Sequence, residues 1–404
     1  MLPKHYNGGE IFKPASVLIH LVVLVKAVKA TLLYDGLGNV LKDVYIIFDK
    51  EIVEIAKERP KEAEVIAEGV VTPAFIDGHS HIGMDRYGEP YQEGEANEQM
   101  DSVLPLVDAL YSIYMDDKAF KHSIEFGVLY SSVLPGSGNV IGGKAVFIKN
   151  YGRDIEEAFI KYAGVKAAFG YNPRSTTNWK GTRPSTRMGA VGILLSWLIK
   201  TQKTIALLEK GKKEPEEVEP TVEALIPVLK GEMPLRVHVH KEDDIAALLM
   251  IKRKFGLKIT IEHAGDVHSR ETFEKIKREG APIIYGPFDS LPYKVELKHE
   301  DWKNARYLLE VKPFFGLMSD HPVTLQANLY LQLRHFIRLG MSKAEAIKVI
   351  TYNNAKILGV DDKLGSIEPG KWASLVVWNG DPFNLENYPT HVFAEGKLIH
   401  EASW

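Results

Sequence analysis

Proline at position 73 limits how the most informative stretch of this chain can fold. The stretch is Val71-Thr-Pro-Ala-Phe-Ile-Asp-Gly-His-Ser-His81. The residue before a proline is pushed out of the α region, so nothing helical forms across Thr72-Pro73. Val70–Ile76 therefore reads as a short buried strand. Residues two apart on an extended chain project to the same side. His79 and His81 thus send two imidazoles in one direction from the strand's C-terminal end, where Gly78 lets the backbone turn. Two neutral imidazoles converging on a point suit a divalent transition metal. The bland alternative is a pair of polar residues in a loop.

From Val71 onward, apolar strands alternate with helical patterns, which argues for a parallel sheet. Eight strands are predicted: Val71–Ile76, Val128–Leu134, Lys144–Ile148, Val165–Phe169, Leu235–His240, Leu257–His263, Pro282–Tyr285 and Phe314–Ser319. Helical patterns separate most of them, at Asp154–Tyr162, Thr186–Glu209, Glu242–Phe255, Arg270–Arg278 and Pro322–Leu339, with another at Lys343–Tyr352. Eight βα units close naturally into a (β/α)8 TIM barrel, here over residues 71–354. A large insertion separates Phe169 from Leu235, and its Lys210–Glu219 section reads as a solvated loop. Residues 25–70 and 355–404 read as short strands, giving one small flanking β unit built from both chain ends. Residues 1–24 superficially resemble a signal peptide, but the apolar run Val17–Val25 is too short to span a bilayer. They are expected to be a dispensable extension.

Composition narrows the chemistry. The 404 residues contain no cysteine, so disulfides and thiolate metal sites are excluded. Ligands must come from His, Asp, Glu or a modified Lys. A net charge of -3 gives no reason to expect nucleic acid or an anionic membrane as partner. A small-molecule substrate and a cytoplasmic setting are the expectations.

A barrel of this kind keeps its active site at the C-terminal ends of its strands. The first strand ends in His79 and His81, and the fourth carries Lys166. In the fifth, Leu235-Arg-Val-His-Val-His240, His238 and His240 share a face. The sixth ends in His263, and the eighth in Asp320, followed by His321. One strand-end histidine would be unremarkable as a hydrogen-bonded structural residue. Four strands ending in ligand types at the same mouth make an accident improbable.

Pro73-Ala-Phe-Ile-Asp-Gly-His-Ser-His81, the histidines ending the fifth and sixth strands, Met318-Ser-Asp320 and Gly365-Ser-Ile-Glu-Pro-Gly-Lys371 together resemble the amidohydrolase superfamily. The nearest fit is its imidazolonepropionase-like branch, which includes metal-dependent dipeptidases and carboxypeptidases. The resemblance runs from residue 25 to the C-terminus. It implies a metal-dependent barrel with a small flanking β-sandwich, and a zinc or similar divalent ion, one or two per chain. Carried over, His79 and His81 would bind one metal. His240 would be the fifth-strand ligand, with His238 the alternative or a residue that orients it. His263 would bind a second metal or hydrogen-bond the reacting group. Asp320 would be a weak ligand and the general base. Lys166 stands where relatives carry a carboxylated lysine bridging two ions; its other reading is a barrel lysine paired with a carboxylate. Two positions depart from the pattern. Tyr171 stands where the branch carries Glu, and Trp372 and Ser374 replace acidic residues in the β unit, where packing consequences are expected.

The implied reaction is hydrolysis of a carbon–nitrogen bond in a cyclic or dipeptide-like amide. The alternatives are a metal-dependent deaminase of a heterocycle and a catalytically inactive scaffold; the full ligand set argues against the scaffold. Gly138-Asn-Val-Ile-Gly-Gly-Lys144-Ala145 nearly matches a phosphate-binding loop, but it lacks the terminal hydroxyl and runs into a strand. It reads instead as a wall of the site. Arg174, Arg183 and Arg187 lie in the polar loop after the fourth strand; of these, Arg174 and Arg187 are the substrate-binding candidates, suited to a substrate carboxylate. A homo-oligomer is expected on base rates alone, a dimer being the commonest.

Overall fold

The computed structural model describes residues 25–403; the expected N-terminal extension lies outside the described residues. Two sheets share the chain. The first takes β1 (Lys26–Tyr34), β2 (Val40–Phe48), β3 (Ile52–Ala56) and β4 (Glu64–Pro73) from the N-terminal side. The second is an eight-stranded, barrel-like sheet of β5 (Phe75–Ser80), β6 (Val128–Val133), β7 (Ile141–Lys149), β8 (Phe159–Ala168), β9 (Leu235–Val239), β10 (Ile259–His263), β11 (Ile283–Tyr285) and β12 (Phe315–Leu317), in that order. The chain then returns to the first sheet with β13 (Leu375–Trp378), β14 (Pro389–Ala394) and β15 (Lys397–Glu401). The flanking unit is thus one seven-stranded sheet, ordered β15-β14-β13-β4-β1-β2-β3.

The alternating face rule explains how this sheet serves two cores. On β13, Leu375 and Val377 join a small core with Val71, Phe48 and Phe393. Val376 and Trp378, on the other face, join the barrel core with Phe75 and Val392. Trp378 is fully buried, packs against Phe75 and Tyr330, and donates its Nε1–H to Thr72 Oγ1 at 3.2 Å.

Several predicted elements differ. The strand expected at Val71–Ile76 is divided at Ala74: Val71–Pro73 belongs to the flanking sheet and Phe75 onward to the barrel. The barrel is not eight βα repeats. β7 runs antiparallel to both β6 and β8, whereas the remaining neighbours pair in parallel. The link Leu134–Val140 is too short for a crossover helix, so β6 and β7 can only form a hairpin. The helix expected at Asp154–Tyr162 is a single turn, Ile155–Ala158, and β8 starts at Phe159. Pro322–Leu339 is mostly 3-10 turns, with an α-helix only at Arg334–Arg338. Lys343–Lys348 is α-helical and passes into a π-turn at Val349–Asn353.

Where periodicity and caps agree, the prediction holds. Glu242–Phe255 is helical as expected, with Glu242, Asp243 and Asp244 in its first turn and Lys252, Arg253 and Lys254 in its last. That arrangement complements the helix dipole, and Gly256 at φ 69 ends the helix in the left-handed conformation. Arg187–Glu209 is long and apolar enough to cross a membrane by length and composition. Here Ala190, Leu194 and Leu198 are buried in the barrel core beside Leu225 and Val228.

Closure of the barrel falls at the site. Asp320 N–H donates to His79 O at 3.0 Å, and His81 N–H to His321 O at 2.9 Å, joining the ends of β5 and β12. Beneath them, buried Asp77 accepts from Ser319 N at 2.9 Å and Gln326 Nε2 at 2.8 Å.

Candidate metal centre

The strand-end residues singled out in the sequence converge. His79, His81, Lys166, His238, His240, His263 and Asp320 gather at the barrel mouth. Two groups of donors each fit within 4.8 Å: His238, His240 and His263, and His79, His263 and Asp320. The rings of His238 and His263 are 4.4 Å apart, those of His240 and His263 4.8 Å, and those of His79 and His263 5.1 Å.

Local backbone puts them there. An alternating strand would turn Glu262 and His263 to opposite faces. His263 instead takes φ 77 and Ala264 φ 56, so the alternation ends and both side chains reach the interior. Asp320 takes φ 52. Such left-handed backbone costs a non-glycine residue roughly 1–3 kcal/mol and persists where surrounding contacts impose it.

A common orientation runs through three of the imidazoles. His79 Nδ1 lies 2.8 Å from Glu262 Oε2, His81 Nδ1 2.7 Å from Leu134 O, and His263 Nδ1 3.0 Å from Gly286 O. Each Nδ1–H donates to an oxygen, which leaves the Nε2 lone pair facing inward, as metal ligation requires. His263 Nε2, His238 Nε2 and both ring nitrogens of His240 are buried with no hydrogen-bond partner. Unpartnered buried nitrogens in such number are costly unless a cation completes them. His81 Nε2 is 3.3 Å and His79 Nε2 3.7 Å from Asp320 Oδ1, and Lys166 Nζ donates to His79 Nε2 at 3.0 Å.

Electrostatics agree with a cation site. Burial pushes His79, His238 and His263 well below the usual imidazole value and His240 to about 3, so all four are neutral at pH 7. Burial alone would raise Asp320, but His263, His81 and Lys166 outweigh it and hold the carboxyl at about 2. Burial draws Lys166 down to about 8, against the opposing pull of Asp320 and Glu262. The donor set of neutral imidazoles, an ionised carboxylate and an unusually acidic lysine fits a divalent transition metal.

Sequence reasoning missed the residues that support this set. Arg236 is buried and grips Glu262 with Nε–Oε1 at 2.7 Å and Nη2–Oε2 at 3.0 Å, while donating to Gly78 O at 2.8 Å and Ser132 Oγ at 2.6 Å. The signal was present, as a charge inside each of two buried strands. Glu296 and Lys294, both buried, come from the segment after β11. Nothing in their local sequence marks them.

The other candidates have their own partners. Arg187 Nε donates to Asp244 Oδ1 at 2.6 Å, and Arg174 Nε to Gly170 O at 2.8 Å. Ser374 Oγ is 2.7 Å from Tyr130 OH, a packing role in the flanking sheet. Lys144 lies within β7, so the glycine-rich segment before it opens no helix. A cavity of about 300 Å³ is walled by Tyr285, Phe288, Trp302, His335, Glu300 and Gly286, the last of which accepts from His263 Nδ1. Glu300 Oε2 has no hydrogen-bond partner there, and burial pushes its carboxyl up to about 7.

Residues 229–399 match the family described as Amidohydrolase family. A crystal structure of an amidohydrolase from Thermotoga maritima MSB8 is similar at TM-score 0.87 and 32% identity, over 93% of this chain and 100% of that one. Amidohydrolase tasK of Hapsidospora irregularis is 26% identical over 391 residues; the match takes in 89% of this chain but 39% of that relative's length. An imidazolonepropionase of Picrophilus torridus is 22% identical over 398 residues, 91% of this chain and 94% of that one.

Proposed function

The chain belongs to the amidohydrolase family, and from that premise we propose that it hydrolyses a carbon–nitrogen bond in a cyclic or dipeptide-like amide, with a divalent metal as cofactor. The observation that carries this reading is the set of inward-facing, unpartnered imidazole nitrogens beside an ionised Asp320. His79, His81 and Asp320 would hold one ion, with His238, His240 and His263 offering a second position. Zinc suits such donors; when bound, it lowers the pKa of water to about 7 and polarises a carbonyl.

The chain's own residues do the rest. Asp320 is ionised at neutral pH and accepts the proton of the attacking water as its oxygen bonds to the carbonyl carbon. The same carboxyl then protonates the leaving nitrogen as the carbon–nitrogen bond breaks, returning Asp320 to its starting state. Glu262 and Leu134 O hold the rings of His79 and His81 in one tautomer throughout. Lys166 Nζ lies 3.0 Å from His79 Nε2 and is buried, so once carboxylated it would offer an oxygen donor to an ion held there.

Metal analysis of the purified chain, followed by a screen of dipeptides, N-acyl amino acids, cyclic amides and aminated heterocycles, tests the proposal. Stoichiometric metal with turnover of an amide is expected. Turnover confined to aminated heterocycles, with ammonia released, would replace it by a deaminase, and a metal-free, inactive chain would leave a scaffold.

A further inference from the structure

Glu296 reaches the imidazoles from outside the set of strand ends. Its carboxylate is buried, and Oε1 lies 3.8 Å from His238 Nε2 and 4.0 Å from His240 Nε2. None of these three atoms makes a hydrogen bond. The separations are too long for an N–H to be donated to the carboxylate. If the nitrogens carry lone pairs instead, three acceptors face one another in a buried space, and their repulsion needs a positive charge between them. Two donors each about 2.1 Å from one tetrahedral ion stand about 3.4 Å apart, so the observed gaps close with a movement of about half an ångström.

The surroundings aim the carboxylate. Tyr171 N–H donates to Glu296 Oε2 at 2.6 Å, which leaves Oε1 turned towards the histidines. Gly170 makes room for it, since a Cβ there would collide with Oε2, and its φ of 81 suits glycine. Lys294 Nζ, 3.4 Å from Oε1, is the nearest charge and the competing explanation for why Glu296 is buried. An ion pair with Lys294 accounts for the carboxylate but leaves both imidazole nitrogens unexplained.

We propose that Glu296 is a metal ligand, its Oε1 sharing one divalent transition-metal ion with His238 and His240. The proposal rests on the metal-dependent reading above and adds to it a donor from the segment after β11. It also ties that segment to the state of the site, because the ion can be held fully only when residues 294–296 are in place.

The test is zinc titration of the full-length chain, stripped with a chelator, against a chromophoric competitor, with apo melting temperatures in parallel. Glu296→Gln is expected to weaken zinc binding at least tenfold. Glu296→Asp keeps the charge but is one methylene short, so its affinity should fall between the two; it also decides the matter if the glutamine variant does not fold. A variant that binds zinc as tightly as wild type, with only its apo melting temperature lowered, overturns the proposal and leaves Glu296 a structural partner of Lys294. A wild-type chain that binds no zinc overturns the metal-dependent reading itself, and this inference with it.

Discussion

Glu262 Oε2 and His79 Nδ1 stand 2.8 Å apart, both fully buried, and Arg236 grips both oxygens of the same carboxylate. One glutamate therefore fixes the tautomer of an imidazole at the barrel mouth and neutralises a buried guanidinium. Glu262→Gln should weaken metal binding by about 10–100-fold. It should also destabilise the fold by about 3 kcal/mol, because Arg236 loses its counter-charge. Competition against a chelator and denaturant unfolding separate the two effects.

Asp320→Asn should lower kcat by about 10²–10⁴-fold while leaving the melting temperature within a few degrees of wild type. Asparagine tolerates the left-handed backbone at this position, and the Asp320 N–H bond to His79 O belongs to the main chain. Retained turnover in a folded variant would remove Asp320 from its role as base.

Glu300 gives a pH-dependent prediction away from the ligands. Its folded value is raised to about 7 by burial, above the unfolded carboxyl, so the native state holds the extra proton between about pH 4.5 and 7. The associated stability is fully present at the acid end of that window and is lost as pH rises through it. Glu300→Gln should therefore melt a few degrees higher than wild type at pH 8 and at the same temperature at pH 4.5. Equal melting temperatures at both pH values would show that the carboxylate is solvated.

What the sequence reveals here depends on whether a residue's partners are local. His79, His81, His263 and Asp320 were legible because each closes an apolar run, and the helix Glu242–Phe255 because its charges and Gly256 mark both ends. The antiparallel course of β7 was hidden in a loop length, which an evenly alternating pattern obscures. The division of the first strand at Ala74 was invisible because both halves are apolar; only the sheet each one joins distinguishes them. Glu296 could not be found by any local rule, since its meaning comes from atoms more than fifty positions away.

His263 ends up with a scarce resource. Gly286 O already occupies its Nδ1, so a single lone pair remains, and both donor groups include this ring. Two cations cannot each take a full share of one nitrogen. With His263 given to an ion at His238 and His240, an ion at His79 and Asp320 would draw on His81 instead, so a doubly loaded centre would need all five rings, and a carboxylated Lys166 would add one more donor.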